Sequence, residues 1–317
     1  MSIKTWIALT ILLPSIASAD PIQSIQYFND GSAVETSTTG HATTITTPFA
    51  IASIGKTMTA VAILRLVDRN VIALDAPAAV WLPLDVTSGL GGLEGITIRH
   101  LLTMTSGLAD YLTDEYVEDA LDDPARVQNA LTALTYAYRE RQVFNVGAGF
   151  DYSNTNYVLL GVILEQATGQ TYSDVIETEV FLPAGMENSF VFGSSALPAN
   201  FPNGHEGGQH YRDYYESAGF GDGGVIASAR ELAEFYTALF IDKTLLPDAL
   251  MDEFMNDPLR EGYGMGIELE EGLIGHSGGD LGFASDVRLD IKETAIAIIL
   301  SADADADTDW TFEILLD

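Results

Sequence analysis

The chain has 317 residues, no cysteine, and 46 acidic against 14 basic side chains, for a formal net charge of −32. Neutralising a phosphate backbone needs the opposite balance, which excludes nucleic acid as a partner. Without cysteine there is neither a disulfide framework nor a thiol to carry a lipid anchor.

The first elements set the compartment. Lys4, the apolar stretch Trp6 to Ile16 and the small-residue run Ala17-Ser18-Ala19 predict a signal peptide over residues 1–19, cleaved after Ala19. Its apolar stretch is too short to span a bilayer, so a free periplasmic or secreted protein without a membrane anchor is expected. Loss of Lys4 makes the charge one unit more negative and leaves Lys56, Lys243 and Lys292 as the only lysines. Such a surface suits a saline habitat, where salt screens the self-repulsion.

Residues 22 to 52 read as strands. Ile22, Ile25 and Tyr27 alternate, Asn29-Asp30-Gly31 signals a hairpin turn, and a threonine-rich stretch runs to Phe49. A helix follows from Ile54 to Val67, with apolar residues at Ile54, Met58, Val61, Leu64 and Val67. Further helical patterns run from Asn156 to Ala167, ending at Gly169, and from Ala229 to Phe240. After Pro258 the pattern returns to strands at Gly262 to Leu269, Phe283 to Asp290 and Thr294 to Ser301, with a brief helix at Asp309 to Leu316. Strands at both ends with helices between predict an α/β domain from residues 20–72 and 259–317, interrupted by a mostly helical domain at 73–258. The cleft between them is the expected place for a site.

Three short motifs fall into that frame. Ser53-Ile54-Gly55-Lys56 opens the first helix, where residues three apart meet on one face. The helix N-terminus adds positive potential at the seryl oxygen, and a lysine in an apolar, cationic setting is able to accept its proton. Tyr152-Ser153-Asn154 precedes a second helix; its tyrosine is placed to share protons, and its asparagine amide to hold a carbonyl or Lys56. His276-Ser277-Gly278-Gly279 lies on a glycine-rich strand edge, where a substrate backbone approaches closely and a backbone N–H faces an oxyanion. Each motif alone has a plainer reading: capping serines, a surface lysine, a half-buried tyrosine, a structural histidine.

In this order and at these separations, S-x-x-K, Y-x-N and H-x-G together resemble the serine β-lactamase and penicillin-binding-protein family. That family includes class C β-lactamases, D-alanyl-D-alanine carboxypeptidases, D-aminopeptidases and esterases. The flanking segments Ile98 to Leu108, Asn154 to Tyr157, Leu182-Pro183-Ala184-Gly185-Met186 and Gly221-Asp222-Gly223-Gly224-Val225 are similar to the family's own, so the likeness covers residues 45 to 300. The resemblance implies a β-lactamase/transpeptidase-like fold, an antiparallel sheet flanked by helices with an all-α insertion. It also implies a monomeric serine hydrolase acting on a small-molecule or peptide substrate (β-lactam, D-alanyl peptide or small ester) with no cofactor and no metal. Ser53 is then the acylated nucleophile, Lys56 and Tyr152 jointly the acid and base, and the Ser53 and Gly279 N–H groups the oxyanion hole. Asn154, His276, Ser277 and Gly278 bind substrate. His276, standing where relatives carry Lys or His, is expected to attract a substrate carboxylate, a pull that fades as the imidazole loses its proton above about pH 6.5. A non-hydrolysing receptor for penicillin or cell-wall peptides is the alternative function.

The sequence departs from the family at the segment before Ser53, too short for the usual covering helix, and at Val146-Gly147, where Pro-Gly is usual. Asp303, Asp305, Asp307 and Asp309 alternate as in a calcium loop but lack its glycine and terminal glutamate, so they read as a solvated turn. His205 and His210 read as part of a loop at the cleft rim, and Asp110 to Asp123 as an acidic helix face. The charge generates the first prediction. Raising NaCl from roughly 0.05 M to the molar range should raise the thermal midpoint, because screening relieves carboxylate repulsion. A flat or falling midpoint would assign the acidity to solubility alone.

Overall fold

The computed structural model describes residues 23–29, 32–38, 43–91, 93–123, 129–138 and 140–316. The expected signal peptide lies outside the described residues, as do Asp30 and Gly31 of the expected turn. Six strands form one antiparallel sheet in the order Ser32–Thr38, Gln23–Asn29, Ala295–Ser301, Phe283–Asp290, Leu273–Asp280, Glu268–Glu270. Both ends of the chain therefore build the sheet, and helices flank it, as the sequence predicts. Strand Ala295–Ser301 is buried at every residue. Its unbroken apolar run is what a central strand covered on both faces requires. The short helix Trp310–Leu316 packs on this strand and its neighbour, with the Phe312 ring 4.6 Å from the Arg288 guanidinium carbon and the Thr311 hydroxyl donating to the Asp286 carboxylate.

Helix Gly55–Asp68 runs through the centre of the molecule. Gly55 to Leu64 are all buried, so this helix is apolar all round rather than striped. It packs on helix Asn154–Thr168, whose first eleven residues are likewise buried, as well as on Tyr172–Ile176 and the turn Glu177–Phe181. At its far end Arg65 and Arg69 converge on one buried carboxylate, Glu179, at 3.1 and 2.6 Å. Helix Ala229–Tyr236 lies on the sheet and continues as a wider turn to Ile241.

Two stretches expected as strands fold otherwise. Around Thr44 to Thr47 the chain turns, with the Thr47 N–H on the Thr44 carbonyl at 2.9 Å, and only Phe49–Ala50 is extended, pairing with Val225–Ala227. Of Gly262 to Leu269, only Glu268 and Leu269 join a strand. Gly262 and Gly266 sit at φ +78° and +74°, so the chain turns under helix Asp248–Phe254 instead of extending, and a side chain at Gly266 would strike the Lys56 carbonyl. Alternating residue types suggested a strand there, but glycine in the left-handed region overrides alternation. His205–Glu206 and Gln209–His210 form a small hairpin, and the Asp303 to Asp309 stretch is a turn whose aspartates accept backbone N–H groups two residues on.

The shared carboxylate yields a stability contrast. Glu179→Gln leaves two guanidinium groups without their counter-charge and should cost roughly 2 kcal/mol. Asp75→Asn, at a pair with Arg99 whose carboxylate is 77% exposed, should change stability by less than about 0.5 kcal/mol. Denaturant unfolding of both variants checks this; equal losses would contradict it.

Candidate active site

Ser53 sits in the tight turn Ala52–Ile54 that leads into helix Gly55–Asp68. The turn is strained in a specific way: Ala52 has φ +48°, a conformation a side chain disfavours. Its surroundings hold it there. A Cβ on Gly223 would lie 2.9 Å from the Ala52 carbonyl, and one on Gly278 would lie 2.6 Å from the Ile51 oxygen, so both neighbours must be glycine for the backbones to touch. Ser285 Oγ also donates to the Ile51 carbonyl at 2.9 Å. The nucleophile's turn is thus gripped between the Gly221–Gly224 loop and strand Leu273–Asp280.

Lys56 is fully buried. Its Nζ lies 2.9 Å from Ser53 Oγ, 2.7 Å from Asn154 Oδ1 and 2.5 Å from the Asp222 carbonyl. The amine's neighbours are therefore oxygen acceptors, not the cations the sequence reading expects. Two aromatic rings complete the surroundings, Tyr152 at 5.0 Å and Tyr157 at 6.0 Å from Nζ. Asn154 is held in turn by Asp110, whose Oδ2 accepts from Nδ2 at 2.8 Å, which points Oδ1 at the lysine. The Ile98 to Leu108 segment supports the Tyr152-Ser153-Asn154 turn from behind. Ser106 Oγ donates to Asn156 Oδ1 at 2.5 Å, and the Asp151 N–H donates to the Met104 carbonyl at 3.2 Å. Ser153 occupies the cap position of helix Asn154–Thr168 but makes no capping hydrogen bond, and its hydroxyl is buried without a partner. Tyr152 stands at the mouth, 36% exposed.

The third motif is placed differently from expectation. His276 is 1% exposed, with Nε2 3.1 Å from the Tyr263 hydroxyl and Nδ1 2.6 Å from the Ser277 carbonyl. Burial pushes its pKa down to about 4, so at neutral pH it is an uncharged ring lodged beside Tyr152, their centroids 6.2 Å apart. It offers a substrate carboxylate no charge. Ser277 Oγ donates to Glu268 at 2.9 Å, and Gly278 faces Ile51 and Ser285. Gly279 is the open position: a Cβ there would meet nothing within 4 Å.

Ser53 and Gly279 line one small cavity of about 60 Å³, together with Tyr111, Asn154, Tyr214, Phe192, Asp222 and Asp280. Larger surface grooves exist, one of about 710 Å³ between Leu182–Gly185 and helix Ala229–Tyr236, but no motif residue lines it. Chemistry, not volume, marks the site. Asp222 accepts from the Tyr111 hydroxyl at 2.7 Å, and burial raises its pKa. Asp280 is raised to about 6, by burial first and also by the nearby charge of Asp222.

A profile of the Beta-lactamase family matches residues 24–315. The chain belongs to the β-lactamase family. Penicillin-binding protein 4* of Bacillus subtilis (strain 168) is 30% identical over 292 residues, covering 84% of this chain and 63% of that protein. Esterase EstB of Burkholderia gladioli is 35% identical over 173 residues, covering 51% of this chain and 43% of the esterase. The chain thus spans less than two thirds of the length of either relative. Among solved structures, a D-stereospecific amidohydrolase from Streptomyces sp. superposes with a TM-score of 0.79 at 25% identity, over 92% of this chain and 93% of that one. This β-lactamase-family chain accordingly has the fold of a group of serine hydrolases that spans penicillin-binding proteins, esterases and amidases.

Within the β-lactamase-family frame, the structure brings Ser53, Lys56, Tyr152, Asn154 and Gly279 together, and turns the side chains of His276 and Ser277 to other partners. Four site residues escaped the sequence reading: Asp110, Tyr111, Asp222 and Asp280. The signal for Asp222 was its enclosure in Gly221-Asp222-Gly223-Gly224. Asp110 and Tyr111 were absorbed into an acidic run, although the helix there is only Asp114–Asp122.

The buried histidine generates a pH prediction. Folded, it stays neutral down to about pH 4; unfolded, it takes a proton below about 6.5. The unfolded state therefore binds more protons between those values, and this group's contribution to stability is full above the window and lost as pH falls through it. Asp280, raised to about 6, and Asp286, raised to about 7, act with the opposite sign, so a variant must isolate the term. The thermal midpoint of wild type should fall further than that of His276→Gln between pH 7.5 and 5. Parallel profiles would show that the imidazole is charged in the fold.

Proposed function

We propose that the protein is a serine hydrolase that cleaves amide or ester bonds through an acyl-enzyme on Ser53. The observation that carries this is the placement of Lys56 Nζ 2.9 Å from Ser53 Oγ with two carbonyl oxygens claiming two more of its tetrahedral directions. The direction left over is aimed at the seryl oxygen, the line along which a proton passes between Oγ and the nitrogen. Transfer of the seryl proton to that nitrogen leaves Oγ to form a bond to the substrate carbonyl carbon. The Ser53 and Gly279 N–H groups receive the resulting oxyanion. Tyr152, over the amine and at the mouth, relays the proton to the departing amine or alcohol as the acyl–leaving-group bond breaks. Water then attacks the ester carbonyl by the reverse proton route, releasing the acid and restoring Ser53. Lys56 and Tyr152 share these proton transfers as one unit.

The same relatives that place the chain in its family support the hydrolytic reading, one being named an esterase and one an amidohydrolase. An exported enzyme fits the leader-like first residues. With p-nitrophenyl acetate, wild type should turn over and, on rapid quench, carry one acetyl mass on the peptide containing Ser53. Ser53→Ala should carry none, and Lys56→Ala should lose about a thousandfold or more in kcat/KM. Acylation that persists in Ser53→Ala would overturn the assignment. A stable acetyl-enzyme without turnover would make the protein a receptor that never deacylates.

A further inference from the structure

The cavity beside Ser53 is lined by two carboxylates. Asp222 and Asp280 reach it from different segments, one from the loop before Val225 and one from the end of strand Leu273–Asp280. Asp222 Oδ2 accepts from the Tyr111 hydroxyl at 2.7 Å, and Asp280 Oδ1 accepts from the Leu281 N–H at 2.8 Å, with Tyr215 a further hydrogen-bond partner of Asp280. Among the described residues no lysine or arginine lines the cavity, and Lys56 is already committed to Ser53, Asn154 and the Asp222 carbonyl. Burial makes both carboxylates hold their protons more tightly than an exposed aspartate does, and at Asp280 the charge of Asp222 adds to it. A cation entering the cavity is attracted by both carboxylates.

The opposite feature is missing from the other wall. The family resemblance places carboxylate recognition on the His276-Ser277 edge. There the imidazole is neutral and covered, and the Ser277 hydroxyl is donated to Glu268, whose Oε2 also pairs with Arg288 at 2.6 Å. An incoming carboxylate meets Glu268 rather than a cation. Two independent features of the cleft thus favour the same kind of substrate.

We propose that this cleft selects acyl groups bearing a free amino group close to the scissile carbonyl, with Asp222 and Asp280 receiving the ammonium, and disfavours substrates that present a carboxylate to the His276-Ser277 edge. Aminoacyl amides and esters are the substrate class; N-acylated peptides with a free C-terminus and penicillins are disfavoured. The inference deepens the hydrolase reading and rests on it. An acylamino group lacks the charge that the two carboxylates attract.

The test compares glycine, D-alanine and L-alanine p-nitroanilides with their N-acetyl derivatives, with p-nitrophenyl acetate as a reference that carries no charge. For at least one amino acid the free amine should exceed its N-acetyl form in kcat/KM by about 10- to 100-fold, the range of one charge-assisted hydrogen bond. In Asp280→Asn and in Asp222→Asn, both isosteric, that ratio should fall toward one. Glycinamide and alaninamide should also inhibit wild-type p-nitrophenyl acetate turnover competitively, and N-acetylalaninamide should not, which reads the same preference without anilide cleavage. Benzylpenicillin methyl ester should acylate Ser53 faster than benzylpenicillin. A wild-type ratio at or below one with no inhibition by the amides, a ratio unmoved in both variants, or faster acylation by the free penicillin overturns the proposal while reference turnover leaves the hydrolase reading standing. Loss of reference turnover and of Ser53 acylation in wild type overturns both.

Discussion

A primary amine buried to zero exposure has to find an oxygen in every direction it points, and this requirement organises the molecule around Lys56. Its three oxygens come from three distant segments: the turn at Ser53, the start of helix Asn154–Thr168 and the Gly221–Gly224 loop. None of these oxygens is free to move. Ser53 is fixed by the strained Ala52, Asn154 by Asp110, and the Asp222 carbonyl by a loop whose glycines lie flush against the Ala52 and Tyr157 backbones. Replacing the amine by an apolar group would leave three polar groups unmatched at once.

The close backbone approaches follow from the same requirement. Side chains on Gly221, Gly223, Gly266 or Gly278 would each fall within 3 Å of a backbone oxygen in the lysine's neighbourhood. These glycines are therefore fitted for contact more than for flexibility. The outer face of the sheet is organised by charge instead. Arg288 joins Asp286 and Glu268, and Glu268 reaches Ser277, so the C-terminal helix over Asp286 and the cleft edge belong to one connected network.

Local spacing made part of this site legible in the sequence. Ser53 and Lys56 meet because residues three apart on a helix do, and the central strand Ala295–Ser301 announces itself as an apolar run. Long-range features left no such trace. Asp110 and Asn154 touch only because Ser106 and Met104 bring two loops together, and nothing in an acidic run says that its first member faces inward. The burial of His276 depends on Tyr263, which comes from a segment whose residue pattern reads as a strand but which turns at Gly262 and Gly266, so the local pattern conceals the electrostatics of the motif. Asp280 belongs to none of the three motifs, and it comes into view only because it lines the same cavity as Asp222.

The sheet order has a consequence for when the turn at Ser53 acquires its geometry. The strand nearest the N-terminus, Gln23–Asn29, lies beside Ala295–Ser301, near the opposite end of the chain. Contacts of such sequence separation form late, because the chain entropy they cost is repaid only when the whole sheet closes. The turn that carries Ser53 is itself clasped from that late sheet, by Ser285 on Ile51 and by Gly278 against the same carbonyl. A chain that lacks strands Leu273–Asp280 and Phe283–Asp290 carries Ser53 and Lys56 but not the clasp on the Ile51 carbonyl, so the geometry of the pair is set only when both strands are in place.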